Sequence, residues 1–509
     1  MTILGINTES DGFGAAVLRD GRVLAAIEQF KIRQHWSSMD KAPVPKDAIL
    51  TALQAAGTDC SEVGAIALTG DVNSAEKIIP HIRKLGLNPR AMIEPVDLQT
   101  AHVTAAFAGS PFDRAAILIL NCGREPGSLC LAAGDGARIE IEKIPRRYSL
   151  LGPVYSSVSS ALGFQPWTCS KMAWLGATGQ PEFLDVFHHM MPSDHAYAPV
   201  EELVRAVDLN RPQDAAASLQ AWTNEIVTDL AEGLCRRHSL SNICVAGHLA
   251  ENPFLIRELE KHFGAERVFV PPAPGRESLS IGAAWVRSRR ERRFAQNLCF
   301  PYPALGPEFA DPQIKEEMDN CKLVCNFFPG VDALAETVCR TLNSGGLAGW
   351  FQGRCEFGHR ALGFRSILAN PFTPFIDENI NRFLKHRETS HPFVISVPEE
   401  SASEYFDQPG ANARTIASMY PVRMDKSSLL SRFVIQDECV RVHTVSSADN
   451  HPLWMLLHRM KGFTGHPLLI NTSFNLPSEP LVMTPRDAIR SFYASGLDVL
   501  AIGRFLLTK

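Results

Sequence analysis

The sequence predicts an α/β protein of unequal parts, the larger of which opens with a strand motif used twice. Three observations predict it. Residues 2–8 (TILGINT), 13–19 (FGAAVLR) and 22–29 (RVLAAIEQ) are short apolar runs joined by tight turns, one of them Asp20-Gly21. The same order returns at 115–144 as AAILILN, SLCLAAGDG and ARIEIEKI, with Asp135-Gly136 at a turn. After IGAAWVRSRRERRFAQ the pattern breaks into CFPYPALGPEFADPQ (299–313), Pro-rich and without periodicity, as a linker would be.

Each element follows in order. KDAILTALQAAG (46–57) has helical spacing and VGAIALT (63–69) reads as a strand. Helical stretches also follow the second meander. Two meanders of one design, roughly 110 residues apart, point to an internal duplication. This is the pattern of the actin-like and sugar-kinase ATPase fold, although period alone also admits an unrelated α/β fold. Beyond the linker come a helix at 331–345 (VDALAETVCRTLNSG), a strand (LAGWFQ) and an arginine run. LSRFVIQ and VRVHTV read as strands, then comes HPLLINTSFN, and TPRDAIRSFYASGLDVLAIG closes as a helix–strand pair. The expected division is 1–298, a linker at 299–314, and 315–509.

Composition bounds the function. Hydrophobic residues at 45% and charged ones at 21% of 509 residues suit a soluble globular enzyme. The balance of 50 basic against 55 acidic residues gives no electrostatic case for nucleic acid as a partner. MTILGINTESDGFG lacks a signal-peptide pattern, and no apolar stretch approaches a membrane span, so a cytoplasmic protein is expected. The 12 cysteines are scattered and read as buried thiols rather than disulfides or zinc ligands.

GWFQGRCEFGHRALGFRSILANP (349–371) holds Arg354, Arg360 and Arg365 with no lysine and only Glu356 as acid. Forked guanidinium donors among glycines and serine suit a planar or tetrahedral anion. Taken alone, the run equally suits a loop closed by structural salt bridges.

This run, together with GHPLLINTSFNLPSEPLVMTPRDAIRSF, closely resembles the C-terminal domain of the NodU/CmcH carbamoyltransferases. LGINTESDGFGAAVLRDGRVLAAIEQ, YSLLGPVYSSVSSALGFQPWTCSKMAWLGATG (148–179), ICVAGHLAEN and PPAPGRESLSIGAAW resemble that family's earlier blocks, in order. The resemblance implies an actin-like N-terminal domain, similar to the tRNA threonylcarbamoyl transferases, and a YrdC-like α/β C-terminal domain. It implies that the latter condenses carbamoyl phosphate with ATP and Mg2+ to carbamoyladenylate, and that the former passes the carbamoyl group to an acceptor hydroxyl of a natural product. No nucleic acid or membrane partner is implied, and a homodimer is among the expectations.

By position, Arg354, Arg360, Arg365 and Ser366 form the expected anion-binding set. Arg387 in KHRE, Arg441 in CVRVHTV, and Asn471, Thr472, Ser473 and Asn475 in NTSFN fall on further family positions. An Asn amide accepts from a carbamoyl NH2 while Ser donates to phosphate oxygen. In isolation NTSFN would be an Asx-type turn. Arg360, Arg441, Asn471, Ser473 and Lys171 of the SKMAWLG block are the expected catalytic residues, with Lys171 a wall between the two stages.

The sequence also departs from the family. The resemblance implies iron held by an HxxxH helix and two carboxylates. Here the corresponding positions are Leu98, His102, Asn121 and Arg276, one imidazole, one amide and one cation, so no metal is expected there. Asp97 or Glu125 could stand in as displaced ligands, but no spacing demands it. Ser10-Asp11 replaces a family His-Asp, His391 in SHPF stands where the family has arginine, and a tyrosine is lost near Thr178. Three readings therefore stand: an altered O-carbamoyltransferase, a carbamoyladenylate-forming enzyme whose N-terminal scaffold serves a partner protein, and an actin-like binding module. The retained Arg and Asn-Thr-Ser motifs argue against the last.

Overall fold

The first meander forms β1 (Thr2–Asn7), β2 (Gly14–Arg19) and β3 (Arg22–Glu28), paired antiparallel, while β4 (Val63–Thr69) and β5 (Met92–Val96) extend the sheet in parallel from β1. The order is β3-β2-β1-β4-β5. β1 and β2 are buried almost throughout, which is why their sequences run apolar without a polar alternate. The second meander repeats the design with β6 (Arg114–Leu120), β7 (Leu129–Asp135), β8 (Arg138–Glu142), β9 (Ile243–Ala246) and β10 (Val268–Phe269), ordered β8-β7-β6-β9-β10 with the same strand senses. An antiparallel meander extended by two parallel strands, used twice, is the actin-like architecture.

These elements belong to a computed structural model that describes residues 1–9, 12–34, 43–123, 128–145, 148–165, 168–189, 200–290, 300–389 and 391–509. Ser10, Asp11, Glu125 and the start of the Pro-rich stretch lie outside the described residues.

A helix follows the last strand of each sheet, and the two pack together between the sheets. Leu98–Ala108 lies against the second sheet and Leu279–Arg290 against the first. Both are buried nearly all round, as small apolar residues on every face allow. At their closest approach a Cβ on Gly282 would lie 2.0 Å from the Ala101 carbonyl oxygen, so only glycine permits the crossing. The 27-residue helix Pro212–His238 covers the second sheet with Leu219, Trp222, Ile226 and Leu230.

The third sheet is mixed and has nine strands: β11 (Asn326–Phe327), β12 (Ala348–Phe351), β13 (Arg365–Ala369), β14 (Val394–Pro398), β15 (Met419–Pro421), β16 (Cys439–Val445), β17 (Leu469–Ser473), β18 (Val499–Ile502) and β19 (Phe505–Thr508). Their order is β11-β19-β18-β12-β13-β17-β14-β16-β15. LSRFVIQ is not among them. Leu430 ends a short helix and Phe433 drops into the core three residues on, a turn spacing rather than strand alternation, while Arg432 between them pairs with Asp377. Among the described residues no helix is long and apolar enough to cross a membrane.

The register of the third sheet sets up the site. On neighbouring strands Asn471 (β17) pairs with Val394 (β14), and Val394 with Arg441 (β16), so the three stand in one row across the sheet. Row-mates share a face.

Candidate anion-binding site

The arginine run between β12 and β13 folds around its one acid. Glu356 Oε1 accepts from the backbone N–H groups of Leu362, Phe364 and Arg365 at 2.9, 2.9 and 3.0 Å. The buried Lys31 Nζ donates to the Glu356 carbonyl at 2.7 Å and to that of Gly358, and Glu28 accepts from the Gly358 N–H. The loop is thus gripped by the end of the first meander. Its turn at Gly363 has φ of +85°, and a Cβ there would meet the Leu453 side chain at 2.2 Å.

The outcome is a cavity of about 160 Å³ between this loop, the β14–β16–β17 row and the N-terminal part of the chain. Arg360, Ala361, Arg387, His391, Val394, Ile416, Arg441, Asn471, Thr472 and Ser473 line it, with Ser170, Glu251 and His359. Asn381, fully buried, positions one wall. It accepts from Arg387 Nε at 2.7 Å and donates to the Thr389 and His391 carbonyls at 2.9 Å each.

Asn471 is oriented by its neighbours. Its Nδ2 donates to the Ala361 carbonyl at 3.2 Å, which can only accept, and it lies 3.3 Å from His443 Nδ1. The amide oxygen is therefore turned the other way, buried and without a hydrogen-bond partner among the described residues. Arg387 Nη2 and Arg441 Nε are likewise buried without partners. Native interiors leave few such groups unpaired, and three around one cavity mark a place for a polar ligand.

The charge distribution agrees. Burial, then Arg360 and Arg387, hold the Arg441 guanidinium down to about 9. Burial holds Arg387 down to about 10 and also lowers Arg360. Guanidinium stays protonated even so, and burial, with crowding by other cations at Arg441, leaves charge here that an anion would compensate. Burial and the surrounding cations, Arg387 first, hold His391 down to about 2, so it meets a ligand as neutral imidazole.

Seven of the residues expected from sequence meet in this cavity: Arg360, Arg387, His391, Arg441, Asn471, Thr472 and Ser473. The others stand apart. Arg354 donates to the Gly306 and Leu305 carbonyls at 2.9 and 2.7 Å. Arg365, fully buried, donates to the carbonyls of Gln352, Phe364 and Gly353 and stacks 3.5 Å over Phe351. Ser366 Oγ accepts from the Gly363 N–H. These three build the loop rather than face the cavity. Asn475 sits behind Ser473, accepting from its hydroxyl at 2.6 Å and from Lys385 Nζ at 2.7 Å. Lys171 is exposed on helix Cys169–Gly176, near enough for its charge to act on His391, while its neighbour Ser170 lines the cavity.

A family model for the carbamoyltransferase C-terminus matches residues 339–509. Nodulation protein NolO of Bradyrhizobium diazoefficiens is 30% identical over 80% of this chain and 78% of its own length. The chain belongs to the carbamoyltransferase family. NolNO of Sinorhizobium fredii is 28% identical over 97% of the chain and 79% of its own, and nodulation protein U of Rhizobium tropici 24% over 94% and 91%. Among solved structures, HypF in its phosphate- and nucleotide-bound form aligns with 57% of the chain and 55% of its own at 11% identity and a TM-score of 0.35, so the fold assignment rests on strand order.

In this carbamoyltransferase the positions that correspond to the family's iron ligands do not fit a divalent ion. His102 Nε2 lies 3.1 Å from the Pro274 carbonyl, an obligate acceptor, and so carries a proton rather than a free lone pair. Arg276 pairs with Glu9 at 3.3 Å. Asn121 offers a neutral, buried amide oxygen and Leu98 offers nothing. Asp97 instead caps its helix, accepting from Thr100 N–H at 2.9 Å.

Besides Ser170, sequence reasoning missed four residues in or behind the cavity wall. Lys385, whose buried amine ties Ser473 to Asn475, lies two places before the flagged Arg387, and Asn381 lies six before it. Glu251 and His359 sit within or beside quoted motifs, but only the fold brings them together.

Proposed function

We propose that the enzyme draws its carbamoyl group from carbamoyl phosphate in an ATP-dependent reaction. The observation that carries this reading is the trio of unpaired groups around one small cavity. Asn471 Oδ1 offers an acceptor to a carbamoyl NH2, while Arg387 and Arg441 offer donors to phosphoryl oxygens. No simple phosphate asks for both. Water would release carbamate and phosphate from carbamoyl phosphate; a carbamate oxygen would then attack the α-phosphorus of Mg2+-bound ATP and expel pyrophosphate. An acceptor hydroxyl on a small natural product would attack the carbonyl carbon of the carbamoyladenylate, with AMP leaving. Arg360, Arg387 and Arg441 would stabilise charge as it redistributes over the phosphoryl oxygens.

The test is release of pyrophosphate and phosphate on incubation with carbamoyl phosphate, ATP and Mg2+. Arg441→Ala and Asn471→Ala should each lose at least about 10²-fold, the scale of one preorganised charge-stabilising donor. Full rates in both variants would remove the reading.

A further inference from the structure

Beside the anion cavity three side chains converge from three distant segments. Glu251 ends the short turn after β9, Glu277 lies in the turn after β10, and His359 follows Gly358 in the arginine run. One ligating atom from each lies within 4.8 Å of the others. His359 Nε2 is 3.2 Å from Glu251 Oε2, and its Nδ1 is 3.8 Å from Glu277 Oε1. The carboxylate side chains are 15% and 9% exposed, yet Glu251 and His359 open onto the cavity.

We propose that Glu251, Glu277 and His359 form a divalent transition-metal site in the cavity wall, for an ion such as Zn2+ or Mn2+. Its ligands are not the residues at the positions that correspond to the family's iron ligands, although Glu277 directly follows Arg276. An imidazole with two carboxylates is a borderline nitrogen–oxygen donor set that such ions accept, and three protein ligands leave coordination positions open. Two carboxylates held close together inside a protein need positive charge beside them; the His359 imidazole and the Arg360 guanidinium flank this pair, and a divalent ion would bind both carboxylates directly. A separate observation points to a ligand here. Asn471 Oδ1, on a side chain only 2% exposed, faces the same cavity unpartnered. Resting on the carbamoyl reading above, an ion in this wall would offer its open positions to the oxygens of the cavity ligand.

The test omits both carbamoyl phosphate and ATP, so its failure is distinct from failure of adenylation. Full-length protein stripped with a chelator is titrated with Zn2+, Mn2+ and Mg2+ by calorimetry, and Mn2+ binding is followed by loss of its free-ion resonance signal. One equivalent of Zn2+ or Mn2+ is expected. Glu277→Gln and His359→Gln, each checked for an unchanged thermal unfolding transition, should weaken it at least about 10²-fold, since even supporting residues of a metal site cost 10–100-fold. His102→Ala should leave it intact. Absence of saturable binding, binding unchanged in both ligand variants, or loss in His102→Ala alone would each overturn the proposal.

Discussion

Asn471 concentrates the site's logic in one side chain. Its Nδ2 is committed to the Ala361 carbonyl and its oxygen to whatever fills the cavity. Asn471→Asp keeps the shape but turns an oxygen toward the Ala361 carbonyl and adds negative charge to an anion site. It should cost more activity than Asn471→Ala, measured as pyrophosphate release, because repulsion adds to the lost donor. The unpaired guanidinium nitrogens, Arg387 Nη2 and Arg441 Nε, make a second expectation. Any anion that binds the folded state alone raises its stability by mass action, so pyrophosphate or carbamoyl phosphate should raise Tm. Arg441→Met should start from a higher Tm than wild type and respond less, because a crowded buried cation is removed. An unchanged response in Arg441→Met would exclude that residue from the anion site. The sequence showed these residue types plainly, since Asn471, Arg441 and Arg387 lie in motifs. It could not separate Arg360, which lines the cavity while donating to the Thr415 and Ile416 carbonyls, from Arg354 and Arg365, which bind carbonyls away from it, because all three occupy one loop and differ only in where its turns point them.

At the scale of elements, strands with long apolar runs were legible: 2–8, 13–19, 22–29, 63–69 and 115–121 all overlap strands of the two five-stranded sheets. Burial on both faces, incomplete mainly over the first residues of Arg22–Glu28, leaves a signal that a turn or surface helix does not imitate. LSRFVIQ misled because apolar residues three apart can seat a turn in a core as well as a strand. Two-residue strands such as Asn326–Phe327 leave no periodicity to read. The arginine run hides a different feature, that Glu356 is the post around which it winds. Glu356→Ala would leave three buried N–H groups unpaired, at about 1–3 kcal/mol each. Urea unfolding should therefore show a loss of about 3 kcal/mol or more. Glu356→Gln, which keeps an oxygen at that point, should lose less; equal losses would show that charge rather than N–H pairing holds the loop.

For the whole molecule, what matters is how the two five-stranded sheets are held against the third. One joint is the Lys31–Glu28 grip on the arginine loop. Another is Glu260 on helix Pro253–Phe263, buried, which accepts from Asn412 at 2.8 Å, Ser418 at 2.6 Å and Tyr420 at 3.1 Å. A sequence read locally could not pair Lys31 with Gly358, or Glu260 with Tyr420, since no spacing rule joins residues so far apart. Burial alone would lower the Lys31 pKa, but Glu28, then Cys355 and Glu356, outweigh it and raise the value above its ordinary 10.5. Because the folded value is the higher one, the stabilisation is complete below about 10.5 and is lost as pH climbs through the folded value. The Lys31 contribution is therefore fully formed at neutral pH and is lost in strong alkali. If the grip seals the cavity wall between two reaction stages, Lys31→Met should spare pyrophosphate release while a reactive carbamoyl intermediate escapes to water. The ratio of pyrophosphate released to carbamoylated acceptor should then rise at pH 7–8, as the wild-type ratio should only above about pH 10.5. A variant in which both outputs fall together would show that Lys31 holds up the arginine loop itself and not a seal between stages.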